Sequence, residues 1–129
     1  MRELEFRVWE EREKEYDTWS YILDDSGNLF RNAYGALIEC DKKDYIIEQY
    51  TGLKDKNGKE IYEGDIVLDY YDGDDAFIVD WDKDTASFVL TDTCNISNVS
   101  FDNFYPDKDL EIIGNIHEHQ ELLEAKDVD

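Results

Sequence analysis

Any chemistry in this chain of 129 residues has to come from two histidines, two cysteines and 34 carboxylates, and spacing decides what each can do. His117 and His119, with Cys40 or Cys94, are the donor types of a zinc site. Their spacing does not supply one. Residues two apart on a helix face different ways, and no Cys-x-x-Cys or His-x-x-x-His pattern accompanies them. Asp69, Asp72, Asp74 and Asp75 offer the oxygen ligands of a calcium loop. Yet neither Asp55-Lys56-Asn57-Gly58 nor Asp72-Gly73-Asp74-Asp75 opens a loop with Gly at its sixth position and Glu at its twelfth. The expectation is a chain that holds no metal and no cofactor.

Catalytic constellations are equally thin. There is no glycine-rich phosphate cradle, no Gly-x-Ser-x-Gly elbow and no cysteine with an adjacent histidine to lower its pKa. Carboxylate pairs carry no signal here, because so many acids meet by chance, and general acid work needs one acid in an apolar pocket. The chain is read as no enzyme, without catalytic residues. What the acids can do is bind. The alternation in Ile78-Val79-Asp80-Trp81-Asp82 sets same-face carboxylates about 6.7 Å apart, roughly twice the per-strand spacing of DNA charges. Asp80, Asp82 and Asp84 are therefore candidate partner-binding residues that imitate a phosphate backbone. A second candidate set is Phe101, Phe104 and Tyr105, apolar anchors in an otherwise patternless stretch. Trp9, Trp19 and Trp81 read as core or half-buried strand residues, since nucleic-acid stacking platforms sit in positive grooves and Trp81 lies between two acids.

Charge sharpens the choice of partner. The net charge is -21, and it is uneven: residues 1–60 carry 15 acids and 10 bases, whereas residues 61–129 carry 19 acids and only Lys83, Lys108 and Lys126. Such a field repels phosphates and anionic membranes and suits a protein partner with a basic surface. No apolar stretch approaches the roughly 20 residues of a membrane span, and the N-terminus has no hydrophobic signal region. The expected location is the cytoplasm, where Cys40 and Cys94 are free thiols and the Asn95 and Asn98 sequons carry no meaning.

The elements that must position these residues are mostly strands. Leu4, Phe6 and Val8 alternate with charged neighbours, and Glu10 to Asp17 reads as a solvated loop or an exposed hairpin arm. Trp19, Tyr21 and Leu23 lead to turn chemistry at Asp24-Asp25-Ser26-Gly27-Asn28, with Leu29-Phe30 returning. Tyr34 to Ile38 fits either a strand or a buried turn, and Tyr45 to Tyr50 is a strand. Asn57-Gly58 predicts a type I′ hairpin turn with φ > 0 at both residues, followed by a turn at Glu63-Gly64-Asp65 and a strand over Ile66, Val67 and Leu68. A turn at Asp72 to Asp75 precedes a hairpin that places Phe77, Val79, Trp81, Ala86, Phe88 and Leu90 on a buried face and Asp80, Asp82 and Asp84 in solvent. Residues 92–109 read as a long loop. Leu110 to Ile116 gives a last strand with a bulge at Gly114, and His117 to Lys126 a short helix burying Leu122 or Leu123.

Three stretches carry a family resemblance. Tyr50-Thr51-Gly52-Leu53-Lys54-Asp55-Lys56-Asn57-Gly58-Lys59-Glu60-Ile61-Tyr62-Glu63-Gly64-Asp65-Ile66 resembles the signature of the YopX family, small proteins of bacteriophages and prophages. The opening Met1 to Trp9 is similar to the family's start, and Leu110 to Ile116 through Glu121 to Glu124 is similar to its close. The resemblance implies a mainly β fold with a small SH3-type barrel and a phage or prophage origin; it implies no activity. Residues 1–129 are then one domain, with an N-terminal β-hairpin extension over 1–44, a barrel over 45–116 and a short C-terminal helix and acidic tail over 117–129. Two functions fit. One is an acidic, non-enzymatic accessory protein that acts as a protein-interaction module and self-associates. The alternative is a DNA-mimic inhibitor of a nucleic-acid-binding or defence protein of the host.

Overall fold

The computed structural model describes residues 5–17, 20–69, 75–92, 98–101 and 104–124. Leu4, Trp19, the turn at Asp72, Cys94 and Lys126 therefore lie outside the described residues. The fold is mainly β, as the alternating pattern requires, and no helix among the described residues is long and apolar enough to cross a membrane. By internal contacts the chain divides into two compact units, Arg7–Glu48 and Met1–Phe6 with Gln49–Asp129.

In the Arg7–Glu48 unit, β1 (Phe6–Glu10) folds back on β2 (Glu15–Tyr16), so the charged segment after Trp9 is a hairpin arm. Val8 and Trp9 are buried, and the Trp9 and Tyr16 rings meet edge to face at 5.0 Å. A second sheet follows in the order β3 (Tyr21–Leu23), β4 (Leu29–Ala33), β5 (Ala36–Glu39). Asp24 makes the β3–β4 turn. Its carboxylate accepts the backbone N–H groups of Ser26 and Asn28, while Gly27 takes φ +85. The Asn28 N–H, chiefly, holds the Asp24 carboxyl below the usual carboxylate range. The ambiguous stretch after Ala33 resolves as a two-residue turn, with positive φ at both Tyr34 and Gly35, and β5 is an edge strand exposed at all four residues.

The other unit is built around the signature. β6 (Tyr45–Lys54), which belongs to this unit from Gln49 on, turns into β7 (Glu60–Tyr62), and an antiparallel sheet runs in the order β11 (Asn98–Ser100), β10 (Ser87–Asp92), β9 (Asp75–Asp82), β8 (Asp65–Asp69), β12 (Leu110–Asn115). Its core joins Ile61, Val67, Phe77, Val79, Leu90, Phe101 and Leu110. Two short helices, α1 (Pro106–Asp109) and α2 (Gln120–Glu124), complete it. The stretch from Asp92 to Asp109 is therefore more than a loop: β11 pairs with the edge of β10 and α1 precedes β12. The C-terminal helix starts at Gln120, later than its expected start at His117, because Asn115 and the turn after it use the intervening amides.

The turn at Asn57-Gly58 is tight but of another type. Gly58 has φ +81, whereas Asn57 is not among the positive-φ residues. The Gly58 N–H donates to Asp55 O at 3.0 Å, and the Asp55 carboxylate takes the N–H groups of Asn57 and Lys59, which holds Asn57 on the ordinary side of the φ axis. A Cβ at Gly58 meets no atom within 4 Å, so the cost of Gly58→Val is conformational alone. We expect a loss of about 1 kcal/mol or more, read as a lowered melting temperature.

Gly114 sits at the register shift of β12, as the bulge requires. An added Cβ there would approach the His119 ring to 2.7 Å. His119 is held in place because its Nδ1 accepts the Asn115 N–H at 3.1 Å and its own N–H donates to Asn115 O. Gly114→Ala is expected to destabilise by about 1 to 3 kcal/mol through overpacking. Adding His119→Ala should recover part of that loss, which denaturant titration of the double variant measures.

Candidate functional site

The β9–β10 hairpin places the candidate carboxylates in the predicted register, Trp81 opposite Phe88 and Val79 opposite Leu90. Phe77, Val79 and Leu90 are buried and Phe88 half-buried, but Trp81 is 43% exposed, which corrects the expectation of a buried indole. The alternation fixes the face, and the core ends one residue short of Trp81. Ala86 is also exposed and takes φ 51, because it belongs to the turn. Asp80 and Asp84 are exposed, whereas Asp82 is half-buried with its Oδ1 accepting the Asp84 N–H at 3.0 Å. Asp82 thus shapes the turn, and Asp84 lies in the turn beyond the strand. The three do not form one straight rail of charge.

The aromatic set is divided as well. Phe101 is buried in the core and Phe104 packs on it, its ring 6.1 Å from Phe77. Neither is an exposed anchor, because the hydrophobic face of β9 and β10 needs a cover. Tyr105 is 70% exposed, with the Lys108 ammonium 5.7 Å from its ring.

Two buried carboxylates carry structure that the sequence reading missed. Asp55, 1% exposed, accepts three backbone N–H groups, from Asn57, Lys59 and Ile112, at 2.9 Å each. The signal was present as a pattern shared with Asp24-Asp25-Ser26-Gly27, an Asp three residues before a Gly and two before an Asn or Ser. Glu48 accepts Arg7 Nε and the Tyr16 hydroxyl, each at 2.8 Å, and the Arg7 guanidinium lies 4.2 Å from the Tyr16 ring centre.

A cleft of about 460 Å³ opens within the Arg7–Glu48 unit, lined by four carboxylates, Glu10, Glu13, Glu15 and Asp17, together with Arg12, Arg31 and Tyr45. The Tyr21 hydroxyl donates to Asp17 at 2.6 Å. Burial, with that bond, pushes the Tyr21 phenol far up, and burial also raises Tyr45 and the Cys40 thiol. The Tyr21 hydroxyl is spent on Asp17 and the Cys40 thiol faces Ile38 O, so of these three groups Tyr45 is the one that lines the cleft.

A family model for the YopX protein matches residues 5–124. The chain belongs to the YopX family. It is similar to the crystal structure of protein EF1440 from Enterococcus faecalis, with a TM-score of 0.63 and 27% identity over 95% of this chain and 99% of that one. It is also similar in fold to YopX from Bacillus subtilis, with a TM-score of 0.61 and 20% identity over 95% of this chain and 98% of that one. No curated protein gave a significant match. Within the YopX signature the residues have structural work: Tyr50, Thr51, Asp55, Ile61, Asp65 and Ile66 are all buried. Thr51 Oγ1 donates to Ile61 O at 2.8 Å, and Asp65 Oδ2 accepts the Tyr62 N–H at 2.8 Å. The signature thus encodes a turn and its packing.

Proposed function

We propose that this YopX-family protein is a non-enzymatic accessory protein of a phage or prophage, acting in the host cytoplasm as a protein-interaction module. In this reading the β8–β12 sheet is a small SH3-type barrel that presents loops and hairpin tips to a partner with a basic surface. The supporting observation is the division of labour among the acids. The buried carboxylates Asp55, Glu48 and Asp65 serve the fold's own donors, while Asp84 and Asp80, whose Oδ1 also accepts the Trp81 backbone N–H at 2.8 Å, are exposed at a hairpin tip. Imitation of DNA is the weaker reading, because Asp82 is drawn into the turn and breaks the charge array.

Capture from host lysate on the immobilised chain, at about 50 mM and about 500 mM salt, tests the proposal, since salt screens charge attraction between exposed groups. The module reading expects a defined protein retained at both concentrations and unaffected by nuclease; retention of nucleic acid, or of no protein, overturns it. The variant carrying Asp80→Asn, Asp82→Asn and Asp84→Asn should fold normally, since an amide oxygen at 82 still accepts the Asp84 N–H. It should lose less than about tenfold in affinity, because rim charges act mainly on encounter. Collapse of binding in that variant would instead mark a DNA mimic.

A further inference from the structure

We infer that the tip of the β9–β10 hairpin is a docking surface for an arginine side chain of a protein partner, with the Trp81 indole as its platform. This deepens the interaction-module reading and rests on it for the class of partner. Trp81 ends a face on which Phe77 and Val79 are buried, and among the described residues it stays 43% exposed. Phe88, directly across the ladder, holds the indole edge to face at 4.9 Å. A large, supported, half-uncovered Trp is the residue type that anchors interfaces.

Charge complementarity selects the occupant. Residues 75–92 carry Asp75, Asp80, Asp82, Asp84 and Asp92 against Lys83 alone. Asp80 and Asp82 lie on the reverse face from Trp81, and Asp84 in the turn, so they supply a negative field around the tip while the ring supplies the contact. A cation is drawn in, and among cations arginine stacks best, being planar and weakly hydrated. Nucleobase stacking is disfavoured, because the same aspartates repel the phosphates that must accompany a base.

The test uses the full chain with hexa-arginine and hexa-lysine peptides, comparing affinities by calorimetry and following the Trp81 indole N–H by NMR. Hexa-arginine should bind about threefold or more tighter than hexa-lysine and shift the Trp81 signal. Trp81→Ala, or Trp81→Leu should the alanine variant fold poorly, leaves the net charge unchanged and should abolish the preference while hexa-lysine binding persists. Equal binding of the two peptides, or a preference that survives loss of the indole, overturns the inference. A captured basic partner that is indifferent to Trp81→Leu leaves the module reading standing and removes this surface. An arginine preference that depends on Trp81, in a chain that captures no protein, supports the surface and removes the module reading.

Discussion

Asp55→Ala is expected to destabilise the protein by about 3 to 4 kcal/mol, among the largest effects of any single substitution outside the hydrophobic core. Three backbone N–H groups end on this one buried carboxylate. Hydrogen bonds to a charged group are worth about 1.5 to 3 kcal/mol each, but the three are not additive. Asn57 and Lys59 are exposed, so water can replace part of what they lose; Ile112, half-buried in β12, has less access to it. The same turn receives β12 directly, with the Lys56 N–H donating to Leu110 O at 2.9 Å. Loss of the carboxylate should therefore speed hydrogen exchange at Ile112 and Lys56 together. Asp55→Asn keeps one oxygen for the turn and turns an NH₂ toward a backbone donor, so it should cost about 2 kcal/mol. Urea titration decides: an alanine variant within about 1 kcal/mol of wild type would remove the clamp.

Glu48→Ala should cost about 3 kcal/mol. Removing one partner of a buried ion pair is costly, and here it takes a carboxylate oxygen from both the Arg7 guanidinium and the Tyr16 hydroxyl. Both bonds end on the same oxygen, Oε1, so Glu48→Gln keeps an acceptor but loses the charge and should be milder. Replacing both Arg7 and Glu48 with leucine should recover most of the loss, because a well-packed apolar pair can match a buried ionic one. Thermal melts of the three variants give the comparison; a double variant as unstable as Glu48→Ala would show that the cost is one of packing.

The strands with clean alternation were legible because one buried face imposes a period of two, and β9 and β10 pair in the register that Phe77, Val79, Phe88 and Leu90 demand. How far the core extends along a hairpin is not a property of the period, which is why Trp81 was misplaced. The Asn57-Gly58 turn was located correctly but typed wrongly, since the dipeptide reports the need for one positive φ and the carboxylate two residues before Asn57 decides the rest. Both positive angles expected there occur instead at Tyr34-Gly35, a pair without that signature. Three residues on a sheet edge, as in β11, leave no pattern, and an apolar residue in a patternless stretch reads alike as cover or contact, the structure placing Phe101 in the core and Phe104 against it. The Glu48 network joins residues 32 and 41 positions apart, beyond any local motif.

The edge strand β5 has a bearing on how the protein stays dispersed. Ala36, Leu37, Ile38 and Glu39 are uncovered, and an apolar sheet edge is a template on which another chain can add a strand. Neither lysine nor proline blunts those four positions. Colloidal repulsion between molecules of net charge -21 stands in for such gatekeepers. It fades toward the isoelectric point of about 4.1, so acidification weakens that repulsion and brings such edges within reach of one another. The surplus of acid is thus also a dispersant, suited to a chain whose described residues include an exposed apolar edge.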